Sequence, residues 1–187
     1  MVRQLMAMAA MCAALMTAVP VASAGSIAPG DYKVVSGRSV AGFEVKGVPG
    51  KVRGKMRMTE GTLSFGPGLR TLRGEITLDA RSLRVGNKTA ARSMRGRDGF
   101  FVERHPKIHF VVTDFQMVGD TVNVTGDLTV KGVTRPITLS GEVLSAKRNR
   151  VVLQMTGTLD RTKFGITAGR PLYSKKAQLS LGVTARK

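Results

Sequence analysis

Tryptophan is absent from this 187-residue chain, and cysteine, histidine and tyrosine are almost absent: one Cys, two His and two Tyr. The single cysteine, Cys12, lies in an apolar N-terminal run. Beyond that run there is no disulfide, no thiol nucleophile and no thiolate metal ligand. His105 and His109 stand four residues apart around Pro106, in what reads as an extended strand entry rather than a helix. At that spacing they do not converge on one ion. Asp114 or Glu103 would be the nearest third ligand, and no metal site is expected. There is no Gly-x-Ser-x-Gly elbow and no Gly-rich phosphate loop closed by Lys-Ser or Lys-Thr. No catalytic residue and no cofactor are therefore expected.

Acidic residues are also scarce, with 12 Asp and Glu against 30 Lys and Arg. Charge of that size favours anionic partners without specifying a fold. Aromatic residues interleaved with the charges, which single-stranded nucleic-acid binding requires, are missing. No physiological nucleic acid is expected as partner.

The only long apolar run is Leu5 to Val19, after the positive start at Arg3. At about 15 residues it is shorter than the roughly 20 that span a bilayer. Pro20 breaks it, and Ala22-Ser23-Ala24 offers small residues for a signal peptidase. Residues 1–24 read as a secretory signal peptide with cleavage between Ala24 and Gly25, leaving 25–187 as one domain. Without Arg3, 29 basic side chains face 12 acidic ones, a net charge of +17. Export makes anionic lipid, wall polymer or an anionic small ligand better partners than DNA.

The remaining chain alternates with period two. Leu72, Gly74, Ile76 and Leu78 share one face, and Val122, Val124, Gly126, Leu128 and Val130 share another. Ile137 to Val143, Val151 to Leu159 and Ala177 to Ala185 continue the pattern. Tyr32 to Lys46 reads as a strand pair broken near Ser36-Gly37, and Gly61–Phe65 and Leu72–Ala80 as further strands. The only helical piece is Asn87 to Arg95. Seven to nine short strands predict a sandwich or a barrel, and about eight close into a barrel with room for one ligand. Gly74, Gly126, Gly141 and Gly157 fall on the inward parity. Either they open a slot or they let strands bend.

The hairpin GDLTVKGVTRPITL, residues 126–139, is similar to the signature hairpin of the YceI-like family of exported, lipocalin-like proteins. YKVVSGRSVAGFEVKGVPGKVRGKMR resembles that family's first hairpin, and ARSMRGRDGFFVERHPKIHF its helix and the Pro-x-x-x-Phe strand entry at Pro106 and Phe110. DRTKFGI, 160–166, resembles its Arg-x-x-Phe-Gly element. Ser93 departs from a histidine common in the family, and the last strand opens on Lys175 and Lys176 where acidic residues are usual. The resemblance implies an all-β fold, an eight-stranded antiparallel barrel with a short helix near its mouth. It also implies a periplasmic, non-catalytic protein holding a polyisoprenoid or fatty-acid derivative.

Phe43, Phe100, Phe101, Phe110, Leu128 and Phe164 are the candidates for the apolar wall; core packing is the competing reading for each. Phe100 and Phe101 are adjacent, so an extended backbone turns only one of them inward. Arg92 and Arg95, three apart on the helix, are the candidates for gripping a phosphate or carboxylate head, and a solvated basic face is the alternative. Lys131 and Arg135 are expected on the solvated surface, and an anionic membrane is the alternative partner.

Overall fold

Alternating apolar and polar side chains carry most of the described residues into antiparallel strands. The computed structural model describes residues 27–48, 50–119 and 121–187. The expected signal peptide, with Cys12, lies outside them. In chain order the strands are β1 (Gly30–Val34), β2 (Val40–Gly47), β3 (Lys51–Phe65), β4 (Leu72–Val85), β5 (Lys107–Val118), β6 (Thr121–Val130), β7 (Val133–Lys147), β8 (Arg150–Asp160) and β9 (Tyr173–Arg186). One α-helix, α1 (Lys88–Arg95), joins β4 to β5.

Nine strands occupy eight positions. β1 and β2 both lie between β3 and β9, two halves of one split strand, and β3 also pairs with β4. The sheet therefore closes on itself as an antiparallel barrel without edges. At the split a single 3-10 turn, Ser36–Arg38, interrupts the ladder. Ser39, 3 % exposed, repairs it there. Its Oγ donates to the Thr184 carbonyl at 3.2 Å and accepts from the Thr184 amide at 3.0 Å.

Two strands run longer than the sequence pattern predicts. Gly61–Phe65 is only the end of a 15-residue strand. β4 continues past Ala80 to Val85 because its register against β3 jumps, with Arg57 opposite Asp79 but Lys55 opposite Arg84. That bulge breaks the alternation, so Leu83 is buried on the opposite parity from Leu78.

The far half of the barrel is filled. Tyr32, Leu63, Phe65, Val122, Val124 and Val151 are buried there. Tyr32 packs edge-on against Phe65 with ring centroids 5.3 Å apart, and its hydroxyl donates to the Ala28 and Arg148 carbonyls. Burial raises the Tyr32 pKa, opposed by the Ala28 bond.

The inward glycines do not open a slot. A Cβ on Gly126 would collide with the Phe110 ring and the Val111 carbonyl, and one on Gly141 or Gly74 with the backbone of the neighbouring strand. Gly74 also has φ +137°, a conformation that L side chains rarely adopt. These glycines let neighbours approach closely and strands bend.

Candidate functional site

Open space lies in the half of the barrel nearest α1. A chamber of about 100 Å³ is walled by Phe43, Phe100, Phe110, Leu128, Leu139 and Phe164, with aliphatic side chains of β2, β3, β4, β8 and β9 between them. Five of the six residues named for the wall thus meet around one cavity. The Phe43 and Phe100 rings stand 5.7 Å apart at a tilted angle. Gly54 makes this possible, because a Cβ there would occupy the place of the Phe43 ring.

Phe101 is the exception. A tight turn follows α1: the amides of Phe100 and Phe101 donate to the carbonyls of Met94 and Gly96 at 2.7 and 2.9 Å. Gly99 packs so closely on the Met94 backbone that any Cβ would collide. Phe101 takes φ +47°. This bend sends Phe100 into the barrel and Phe101 out, against His105 (6.0 Å between centroids) and under the Arg97 guanidinium (5.8 Å).

Above the chamber lies a vestibule of about 470 Å³ between α1, the β2–β3 turn and the segment entering β9. Asn87, Thr89, Ser93, Lys51 and Tyr173 give it polar groups. Val45, Met94 and Arg161 line both spaces and form the threshold between them. Ala90, Ser93 and Met94 face this side because positions three and four apart share a helix face. Asn87 caps α1, its Oδ1 accepting from the Thr89 and Ala90 amides at 2.8 and 3.0 Å. Those amides are therefore not free for a ligand.

Arg92 and Arg95 occupy the other side of α1. They flank an outer groove with Lys88, Arg97 and Phe101, and Arg95 Nη2 donates to the Leu83 carbonyl at 2.6 Å. The structure therefore separates them from the chamber. The 3.6-residue period contained this signal, since Met94 is the apolar member of the helix and sets its inward face.

Arg161 is 3 % exposed. Its guanidinium donates to four carbonyls: Ser174, Ile166, Ala168 and Tyr173, at 2.7 to 3.1 Å. Burial pulls its pKa below the usual value, Arg170 adds to this and Asp160 opposes it. The group nevertheless stays charged. Asp160 precedes it and caps the short turn Arg161–Phe164, accepting from the Thr162 amide and hydroxyl.

Lys131 lies half-buried at the surface, as expected, but its ammonium is engaged there and not simply solvated. Lys131 and Gly132 take φ +53° and +75°, the left-handed pair of a tight hairpin turn. The Lys131 ammonium then donates to the Arg97 and Gly165 carbonyls at 2.7 and 2.8 Å. Asp98 O accepts from the Thr167 and Ala168 amides. Three mouth segments are thus tied into one cover above Phe100. His109 Nδ1 lies 3.2 Å from Thr77 Oγ1.

A model of the YceI-like domain matches residues 32–185. A UPF0312 protein of Photorhabdus laumondii is 26 % identical over 113 residues, and the match spans 58 % of this chain and 59 % of that relative's length. Protein YceI of Escherichia coli is 26 % identical over 128 residues, 65 % of this chain and 66 % of the relative. Among solved structures, Burkholderia cenocepacia BcnA superposes with a TM-score of 0.72 at 20 % identity, covering 81 % of this chain and 98 % of its own. A polyisoprenoid binding domain from Saccharophagus degradans superposes with a TM-score of 0.63 at 14 % identity, covering 83 % and 97 %. Both share the barrel.

Proposed function

Because the chain belongs to the YceI-like family, we propose that it is an exported, non-catalytic, periplasmic protein that holds a long-chain apolar ligand in its barrel. The ligand class is a polyisoprenoid or fatty-acid derivative, with its tail in the chamber and a polar or anionic head in the vestibule. The observation that carries this reading is the chamber wall. Its cavity is surrounded by aromatic and aliphatic side chains, and it opens past Arg161 onto hydroxyl, amide and ammonium groups. Apolar area leaving water at about 25 cal/mol per Å² favours a tail there, before the cost of ordering it is subtracted. The Saccharophagus degradans domain, named for polyisoprenoid binding, lends the ligand class support.

A head group whose tail lies in the chamber reaches Lys51, Thr89, Ser93 and Tyr173 before it reaches Arg92 or Arg95. The test is native mass spectrometry of the exported protein, with extraction and mass analysis of any lipid. A stoichiometric long-chain adduct is expected. Phe100→Ala should reduce its retention and Phe101→Ala should leave it unchanged. Protein that stays free of adduct after incubation with envelope lipids would overturn the reading.

A further inference from the structure

The rim of the mouth carries two large apolar side chains in solvent. Val48 is 72 % exposed and Leu172 61 %. They belong to different segments, the β2–β3 turn and the approach to β9, and the Val48 amide donates to the Leu172 carbonyl at 3.1 Å. Gly47 opposite Tyr173 fixes this juncture, since a Cβ on Gly47 would strike the Tyr173 ring. Gly50 and Tyr173, on either side of the pair, line the vestibule. Two apolar side chains therefore project together beside the route into the cavity.

Cations surround that end. The segments that connect strands there expose Lys88, Arg92, Arg97, Arg104, Lys163 and Arg170 against only Asp98 and Glu103. The salt bridges among the described residues use none of these six. An apolar tip ringed by unpaired cations matches an anionic bilayer: the tip enters the acyl boundary and the cations meet the headgroups. The opposite end is also basic, exposing Arg70, Lys147, Arg148, Arg186 and Lys187, with Leu144 60 % exposed near the β7–β8 turn, so cavity access and not charge distinguishes the two ends. Val118, 74 % exposed, lies at the same end, opposite Thr121, which in turn pairs with Glu142 two residues before Leu144, and no described cavity opens there.

We infer that the mouth docks on an anionic lipid surface through Val48 and Leu172, so that a lipid passes between bilayer and barrel without crossing water. Docking itself needs no ligand in the chamber and is tested apart from the carrier reading; only the passage of a lipid rests on that reading.

The absence of tryptophan makes the orientation measurable. Single-tryptophan variants Leu172→Trp and Leu144→Trp of the chain without residues 1–24 are mixed with phosphatidylcholine vesicles, with or without phosphatidylglycerol. The expected result is a blue shift for Leu172→Trp alone, on the anionic vesicles alone, lost at high salt. In co-sedimentation, the charge-neutral pair Val48→Ser with Leu172→Ser should bind about tenfold more weakly, while Val118→Ser with Leu144→Ser binds as the parent does. A blue shift at Leu144→Trp instead, equal binding to zwitterionic vesicles, or no binding would each overturn the proposal.

Discussion

At the residue scale, Arg161 joins the fold to the site. A buried guanidinium with no carboxylate partner is costly unless its N–H groups are met. Here four carbonyls of the segment 166–174 meet them, and that segment forms the vestibule wall. Arg161→Met should leave those carbonyls unsatisfied and destabilise the protein by about 3 kcal/mol or more. Arg161→Lys should recover only part, because an ammonium cannot reproduce the fork. Urea unfolding midpoints decide both, and an unchanged midpoint in Arg161→Met would refute the account. Phe100 and Phe101 teach a related lesson. They are chemically identical neighbours, yet a bend at Gly99 and a left-handed Phe101 assign one to the cavity and one to the surface.

At the scale of elements, the strand that splits into β1 and β2 depends on one hydroxyl. Ser39→Ala removes both bonds to Thr184 in a buried position, and a loss of about 1–3 kcal/mol is expected. Hydrogen exchange should speed up first at the Thr184 amide. Asn87→Ala removes the cap of α1 and should cost about 1 kcal/mol. Since α1 forms one wall of the vestibule, this variant should also release bound lipid faster, read as a higher off-rate in a lipid-transfer assay. Lys131 explains why the 126–139 hairpin ends as it does: its left-handed turn aims an ammonium at the two mouth segments it holds.

At the scale of the whole molecule, few carboxylates sit among many cations. The Thr162 hydroxyl is the largest influence holding the Asp160 pKa below its ordinary value, with the Thr162 amide and nearby lysines assisting and burial opposing. Hydrogen bonding from Arg53 is the largest influence doing the same for Glu44, with Lys51 assisting. A carboxylate with a depressed folded pKa contributes stability above its unfolded value and loses it as pH falls through the folded one. These two groups should therefore leave the melting temperature flat from neutral pH down to about 5. Below about 4 it should fall, and the fall should be shallower in Asp160→Asn, measured by thermal unfolding across pH.

Period-two alternation depends only on the geometry of an extended chain, so the strand faces were legible in the sequence. The pattern left sandwich or barrel open, and the family resemblance implied the barrel with its short helix. Motifs at Lys131-Gly132, Pro106 and Arg161 placed the chain in its family. Alternation names a face but not what occupies it. Whether Gly126 leaves a gap or admits the Phe110 ring depends on a neighbouring strand. Which Phe enters the barrel depends on a turn closed by hydrogen bonds to Met94 and Gly96. The helical period already set Arg92 and Arg95 on a different face from Met94, but that Met94 faces the chamber and the vestibule depends on the apolar partners it finds there. Those decisions belong to turn hydrogen bonds and to packing between neighbouring elements, which exist only in the folded chain and which alternation along one strand does not encode.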